Sequence, residues 1–229
     1  MITRDQIEQN LAAVRAGIAR ASERVGRQPD EVTLVGASKT VAVETISFAV
    51  EAGLTDLGEN YVRELRRKAP ALPGVRWHFI GTLQSNTAHH VADLVDVVET
   101  LSGSHAARRL AGRAAGSGRT VEALIEVDLV GGRTGVAPDR LAGFADEVAA
   151  LDGIRLVGLM TLPPIPQAAE DSRPFFLRLR ELRDRIRETH PKVLELSMGM
   201  SLDYRVAIEE GATMVRIGTA VFGPRTPPA

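Results

Sequence analysis

Apolar positions recur along this chain with two periods, and the switching between them lays out the elements. Ile7, Leu11, Val14 and Ile18 fall at helical spacing, which predicts an amphipathic helix over about residues 4–25, stopped by Gly26 and Pro29. Thr3-Arg4-Asp5-Gln6 ahead of it reads as a capping box, a Thr side chain and a Gln three residues on satisfying each other's amides. Short apolar runs then follow at 33–38, 56–58, 77–80, 94–99, 121–128, 156–161, 193–197 and 214–222. Between them, 43–52, 61–69, 85–92, 104–115, 138–151, 173–189 and 203–210 read as helices.

Eight strands separated by seven helices over residues 32–223 give repeating units of roughly 24 residues, near the minimum for a closed (β/α)8 barrel. The expected fold is therefore α/β, a single (β/α)8 TIM barrel with an extra N-terminal helix. It is expected as one domain over 1–229, with 1–30 forming the helical lead-in and 224–229 a loose tail. A doubly wound open sheet is the alternative. Eight regular units exceed its usual count, and the first turn, Ser38-Lys39-Thr40, lacks the glycine-rich phosphate loop such sheets favour.

Composition narrows the function classes. A net charge of −1 gives no overall attraction to nucleic acid or to a membrane surface. The one Arg-rich stretch, Arg178, Arg180, Arg183, Arg185 and Arg187, is interleaved with Glu181, Asp184 and Glu188 around a buried stripe, as a solvated helix face would be. The chain has no cysteine, which excludes disulfides, thiolate nucleophiles and Cys-based zinc sites. No signal-peptide core or membrane-length apolar run is evident, so a cytoplasmic protein is expected, binding neither nucleic acid nor membrane. Of 28 basic residues only Lys39, Lys68 and Lys192 are lysines. Where positive charge alone suffices this chain uses Arg, so a lysine at an enclosed position raises a chemical question: an amine can become neutral and nucleophilic, a guanidinium cannot.

Lys39 directly follows the first strand, where barrel residues point into the mouth. It is either a nucleophile that forms an imine with an aldehyde or a strand-end lysine reaching out to solvent. The last two strands end in Ser197-Met198-Gly199-Met200-Ser201 and Gly218-Thr219, small and hydroxyl-bearing residues of the kind that close on a phosphate in such barrels; ordinary turns are the alternative. Arg216, inside the last strand between Val215 and Ile217, must pair with a carboxylate such as Glu195 or Asp128, or face a ligand. Gly58-Glu59-Asn60 and His78 place polar groups at the ends of the second and third strands, His78 as a ligand contact or a hydrogen-bonded core residue. His89-His90 with Asp93 makes a poor metal site, and Gly131-Gly132-Arg133-Thr134-Gly135 reads as a mobile loop with one basic residue.

Taken together, VGASKT at 35–40, GENY at 58–61, WHFIGTLQSN at 77–86, GLMT at 158–161, SMGMSLDY at 197–204 and VRIGTAVFG at 215–223 resemble the pyridoxal phosphate homeostasis protein family. The resemblance spans nearly the whole chain in order. It implies a barrel like the cofactor-binding domain of alanine racemase, with pyridoxal 5′-phosphate held as an imine on Lys39. It further implies that Ser201, Gly218 and Thr219 hold the phosphate beside Met200, that Arg216 faces the pyridine nitrogen, and that Asn60 lies near the ring. This sequence departs from the family at Thr82, where Pro is usual, at Thr87, where Lys is usual, near His89, where Arg is usual, and at Arg133-Thr134-Gly135, where Lys-Ser-Gly is usual.

An Arg at the pyridine nitrogen can only donate, so the nitrogen stays unprotonated and carbanions are poorly stabilised. Racemases with this arrangement also use a Tyr from a second domain. None is expected after Gly223, and the tyrosines present, Tyr61 and Tyr204, are expected at helix starts. The resemblance thus implies a monomeric carrier without strong turnover. It would store the cofactor and deliver it to apo-enzymes that use it. A weak racemase-type enzyme is the alternative.

Overall fold

The computed structural model describes residues 2–224. The sequence-predicted tail falls almost wholly on 225–229, outside the described residues. In chain order the elements are α1 (Arg4–Arg24), β1 (Thr33–Ala37), α2 (Val43–Glu51), β2 (Asp56–Glu59), α3 (Val62–Lys68), β3 (Arg76–Phe79), α4 (Ala88–Ala92), β4 (Val97–Leu101) and α5 (Ser104–Gly116). They continue as β5 (Val121–Glu126), α6 (Leu141–Ala149), β6 (Ile154–Met160), α7 (Arg173–Thr189), β7 (Glu195–Ser197), α8 (Tyr204–Glu209), β8 (Met214–Ile217) and α9 (Thr219–Phe222). The strands pair in sequence order into a closed parallel barrel, with β8 returning to β1 in the register Thr33↔Met214 and Val35↔Arg216. This is the (β/α)8 fold read from the spacing, with α1 as the added helix.

Two apolar zones hold it together. Most buried hydrophobic side chains lie in the layer that contains the inward stripes of the helices, from Ile7, Leu11, Val14 and Ile18 of α1 to Phe176, Leu179, Leu182 and Ile186 of α7. A smaller group, Val97, Leu124, Met160 and Met214, comes from four different strands and forms a separate cluster. Side chains along a strand alternate, so the residues two further on share a face: Glu99 with Val97, Glu126 with Leu124, Arg216 with Met214. All three are ionisable and buried. The barrel therefore passes from an apolar plug to a polar layer as the strands approach their C-terminal ends.

Several bounds lie a few residues from the expected ones, and three differences have a local cause. The apolar run 214–222 splits, because the Gly218 carbonyl accepts from the amides of Val221 and Phe222 and so turns the chain into α9. Val221 and Phe222 then bury against α1, and Asn10 Nδ2 donates to the Val221 carbonyl at 2.9 Å. β4 starts three residues later than the apolar run, since Leu94 and Val95 still bond back to Val91 of α4. At α1, Thr3 Oγ1 caps the Gln6 amide at 3.3 Å, but the Gln6 side chain donates to Asn10 instead of completing the box.

Candidate functional site

Because every strand runs parallel, all the strand-to-helix loops open on one face, and the sequence-predicted site residues lie in or just past the ends of four adjacent strands, β7, β8, β1 and β2. Lys39 stands two residues past the end of β1 and is half-buried. Its neighbours are fixed from below. The Ser38 carbonyl accepts from Lys68 Nζ at 2.8 Å, Ser38 Oγ donates to Glu59 Oε1 at 2.8 Å, and the Thr40 amide donates to Glu64 Oε2 at 2.9 Å. Asn60 follows β2 directly, and its Oδ1 is buried with no hydrogen-bond partner among the described residues. Gly81 lets Asn60 sit there, because a Cβ at Gly81 would lie 2.2 Å from the Asn60 carbonyl oxygen.

Arg216 is 4 % exposed and takes neither of the carboxylate partners considered from the sequence. It donates to Ser197 Oγ, to the Thr161 carbonyl at 3.0 Å, and lies 3.6 Å from Glu99 Oε2, a residue of β4 across the barrel. Glu99 in turn accepts from Ser197 Oγ at 2.5 Å and bonds His78 Nδ1 at 2.7 Å, while His78 Nε2 meets Asp56 Oδ1 at 3.0 Å. Burial disfavours the charged imidazole, yet the two carboxylates outweigh it and hold His78 above the usual histidine range. Burial likewise works against the Glu99 and Asp56 carboxylates, and the His78 contact holds both below their ordinary values. His78 is thus a hydrogen-bonded core residue whose protonated form its two carboxylate partners favour. It links Asp56, at the start of β2, to Arg216 near the mouth.

The ends of β7 and β8 form a small cup of donors. Ser201 Oγ lies 3.1 Å from Thr219 Oγ1 and 3.3 Å from the Ala220 amide, at the start of α9. Asp203 shapes the loop beneath it: Oδ1 accepts from the Met200 amide at 2.7 Å and Oδ2 from Ser172 Oγ at 2.6 Å. Gly199 is required there. Its φ is +94°, and a Cβ would come within 2.6 Å of the Ala207 Cβ. Gly218 precedes α9 and Met200 is half-buried beside Ser201.

On the far side of the mouth Glu126 ends β5 and lines a cavity of about 310 Å³ with Asp128, Arg133, Thr134 and Leu162. Burial pushes its carboxyl up to about 7, more than the nearby Arg216 cation lowers it. The loop 128–135 is built rather than slack: Asp128 accepts from the amides of Val130, Gly131 and Arg133, which keeps its carboxyl below the usual range. Among the described residues no group of three His, Asp or Glu side chains could hold a metal ion, and no helix is long and apolar enough to cross a membrane.

The family model described as alanine racemase, N-terminal domain, matches residues 4–226. A pyridoxal phosphate homeostasis protein of Aquifex aeolicus is 42 % identical over 222 residues, covering 95 % of this chain and 97 % of that protein. The chain belongs to this family. Among solved structures, PipY of Synechococcus elongatus PCC7942, with PLP bound, superposes with a TM-score of 0.85 at 31 % identity, covering 95 % of this chain and 100 % of that one. An alanine racemase of Clostridium difficile 630 gives a TM-score of 0.75 at 16 % identity; it covers 98 % of this chain and 58 % of that one, a likeness of fold.

For a family member of this kind, sequence reasoning passed over Glu99, Glu126, Glu64 and the partnership of Lys68 with Glu59. The signal was available. Glu99 and Glu126 are charged residues inside otherwise apolar strand runs, the feature that singled out Arg216, and Lys68 is one of the chain's three lysines. Of the tyrosines, Tyr61 caps α3 and is 55 % exposed, whereas Tyr204 opens α8 and is 4 % exposed.

Proposed function

We propose that this chain binds pyridoxal 5′-phosphate in the barrel mouth, covalently through Lys39, and holds it in reserve for enzymes that need it. The observation that carries the reading is the convergence of a half-buried lysine, a buried arginine and a hydroxyl-and-amide cup on the ends of neighbouring strands β1, β8 and β7. The residues fit the cofactor's parts. Ser201, Thr219, the backbone at Gly218 and the Ala220 amide would take the phosphate at the N-terminus of α9. Met200 would pack beside it, and Asn60 would bring to the ring a buried side-chain amide oxygen that has no hydrogen-bond partner among the described residues. Arg216, clamped by Ser197 and Thr161, would face the ring nitrogen.

When bound, pyridoxal phosphate supplies an electrophilic aldehyde and an electron-withdrawing ring. Arg216 restrains that chemistry, since a guanidinium cannot accept a proton or give one up and so keeps the ring nitrogen unprotonated. Glu99 and His78 hold Arg216 in place without touching the mouth themselves. Neither tyrosine is set up as a partner for Lys39 in proton transfer: the Tyr204 hydroxyl is buried against Arg205, and Tyr61 is turned toward solvent. General acid–base groups typically contribute ~10²–10⁴-fold, so turnover is slow without one.

One observation favours the second reading, a weak enzyme of the racemase type. Glu126 is a mouth carboxyl whose affinity for a proton lies near neutrality, suited to acid–base work. Incubating the loaded protein with amino acids in deuterated water, and following Cα exchange and chirality, separates the two. A carrier gives slow exchange without stereochemical preference. Efficient, stereochemically defined exchange that Lys39→Ala abolishes would establish the enzyme.

A further inference from the structure

A second buried ionic cluster sits directly under the Lys39 turn. Lys68 ends α3, and its side chain is completely buried, as is that of Glu59 at the end of β2. Its ammonium has three donors and three acceptors around it: the Ser38 carbonyl at 2.8 Å, Glu59 Oε1, and Glu64 Oε2 at 2.6 Å. The two carboxylates then reach the residues on either side of Lys39. Glu59 Oε1 accepts from Ser38 Oγ, and Glu64 Oε2 accepts from the Thr40 amide. Five hydrogen bonds thus link one ammonium to both neighbours of Lys39, and none of them involves Lys39 itself.

The backbone gives an independent sign that this clamp has a purpose beyond packing. Thr40 has φ +63°, the one positive φ at a non-glycine among the described residues. A β-branched residue resists that conformation, and the chain holds it only where surrounding contacts determine it. Here the Thr40 amide is directed at Glu64, so the Lys68 cluster imposes the bend that starts immediately after Lys39. Burial pushes the Glu59 carboxyl above its usual range despite Lys68, while at the half-buried end of the cluster Glu64 is drawn below it, against burial, by Lys68 and the Thr40 amide. A buried ion pair that serves stability alone is readily replaced by apolar side chains; this one sends one donor to the Ser38 carbonyl and two to carboxylates that accept from Ser38 Oγ and the Thr40 amide, so every branch ends on one turn.

We propose that Lys68, acting with Glu59 and Glu64, is a positioning residue for Lys39: it fixes the Ser38–Thr40 turn and thereby sets the direction and reactivity of the Lys39 amine. The role rests on the pyridoxal phosphate reading for its purpose but not for its geometry. The sequence lends itself to a direct test, because [13C,15N]-lysine labelling gives three side-chain signals, one each for Lys39, Lys68 and Lys192.

The variant is Lys68→Met/Glu59→Gln, which removes the ammonium without leaving a lone buried carboxylate. The Lys39 Cε signal is expected to move in shift and titration midpoint while that of Lys192 stays, and the Thr40 amide is expected to exchange faster with solvent. The rate at which pyridoxal phosphate loads onto Lys39, trapped by borohydride, is expected to fall about tenfold, the weight of one charge-assisted hydrogen bond. Adding Thr40→Asn, a residue that enters the left-handed region more readily, is expected to restore part of the rate. Should the double variant fail to fold, Glu64→Ala tests the same link from the partly exposed end, with a smaller change of the same sign expected. An unchanged Lys39 signal together with unchanged loading, in whichever of these variants folds, would overturn the proposal and leave Lys68 as a core ion pair. If wild-type protein loads no cofactor on Lys39, the pyridoxal phosphate reading fails, and the Lys39 signal and the Thr40 exchange still decide the positioning role.

Discussion

Glu126→Gln should make the protein more stable at alkaline pH and leave it nearly unchanged in acid. The carboxyl is 6 % exposed, and its folded-state affinity for a proton is raised from 4.5 to about 7. The sign follows from linkage. A carboxyl that binds its proton more tightly when folded contributes fully below its unfolded value, and the contribution is lost as pH rises through the folded one. The window is therefore 4.5 to about 7. At about 1.4 kcal/mol for each pH unit of that window, about 3 kcal/mol is lost by pH 8. Burial of the carboxyl outweighs its attraction to Arg216. Gln keeps the shape and never ionises, so urea denaturation from pH 5 to pH 8.5 should show the variant's advantage growing from small to about 3 kcal/mol. Two curves separated by a constant amount across that range would refute the reasoning.

Other sites give sharper readouts of single contacts. Gly199→Ala should cost at least about 2 kcal/mol by thermal melting, since the residue combines φ +94° with a Cβ contact at 2.6 Å; an unchanged melt would show that the loop tolerates it. Ser201→Ala combined with Thr219→Val should weaken binding of pyridoxal phosphate at least about tenfold while leaving unphosphorylated pyridoxal nearly unaffected, by equilibrium titration of both aldehydes; equal losses would remove these hydroxyls from the phosphate cup. Arg216→Met strips the guanidinium from between Glu99 and Ser197 and should lower stability at neutral pH by about 3 kcal/mol, an effect checked by chemical denaturation.

Much of this was legible in the order of residues. The barrel follows from the regular switch between short apolar runs and helical stripes, and the strand ends follow with it, which placed Lys39, Asn60, Ser201, Gly218 and Thr219 on one face. What sequence hides is which side chains meet across the barrel. Glu99 and Arg216 are far apart in the chain, and neither Val97 nor Met214 before them says that β4 and β8 point their next inward residues at each other. Lys68 is concealed by its neighbours: one of only three lysines, it follows Arg66 and Arg67 and looks like the third member of a solvated helix end, and only the Glu59 and Glu64 carboxylates around it reveal that it turns inward. The run 218–222 misled for a different reason. A five-residue stretch is too short to show a period of its own, and Gly218 starts a helix within what reads as a strand.

The central claim is that Lys39 holds pyridoxal phosphate. Only three lysines can take part, which makes the measurement decisive: load the purified protein with the cofactor, reduce with borohydride and map the labelled peptide by mass. Label on the peptide containing Lys39, with the yellow absorbance and the label both lost in Lys39→Arg, is the result the account predicts. Label on the exposed Lys192 or the buried Lys68, or equal labelling of the Lys39→Arg protein, would contradict it.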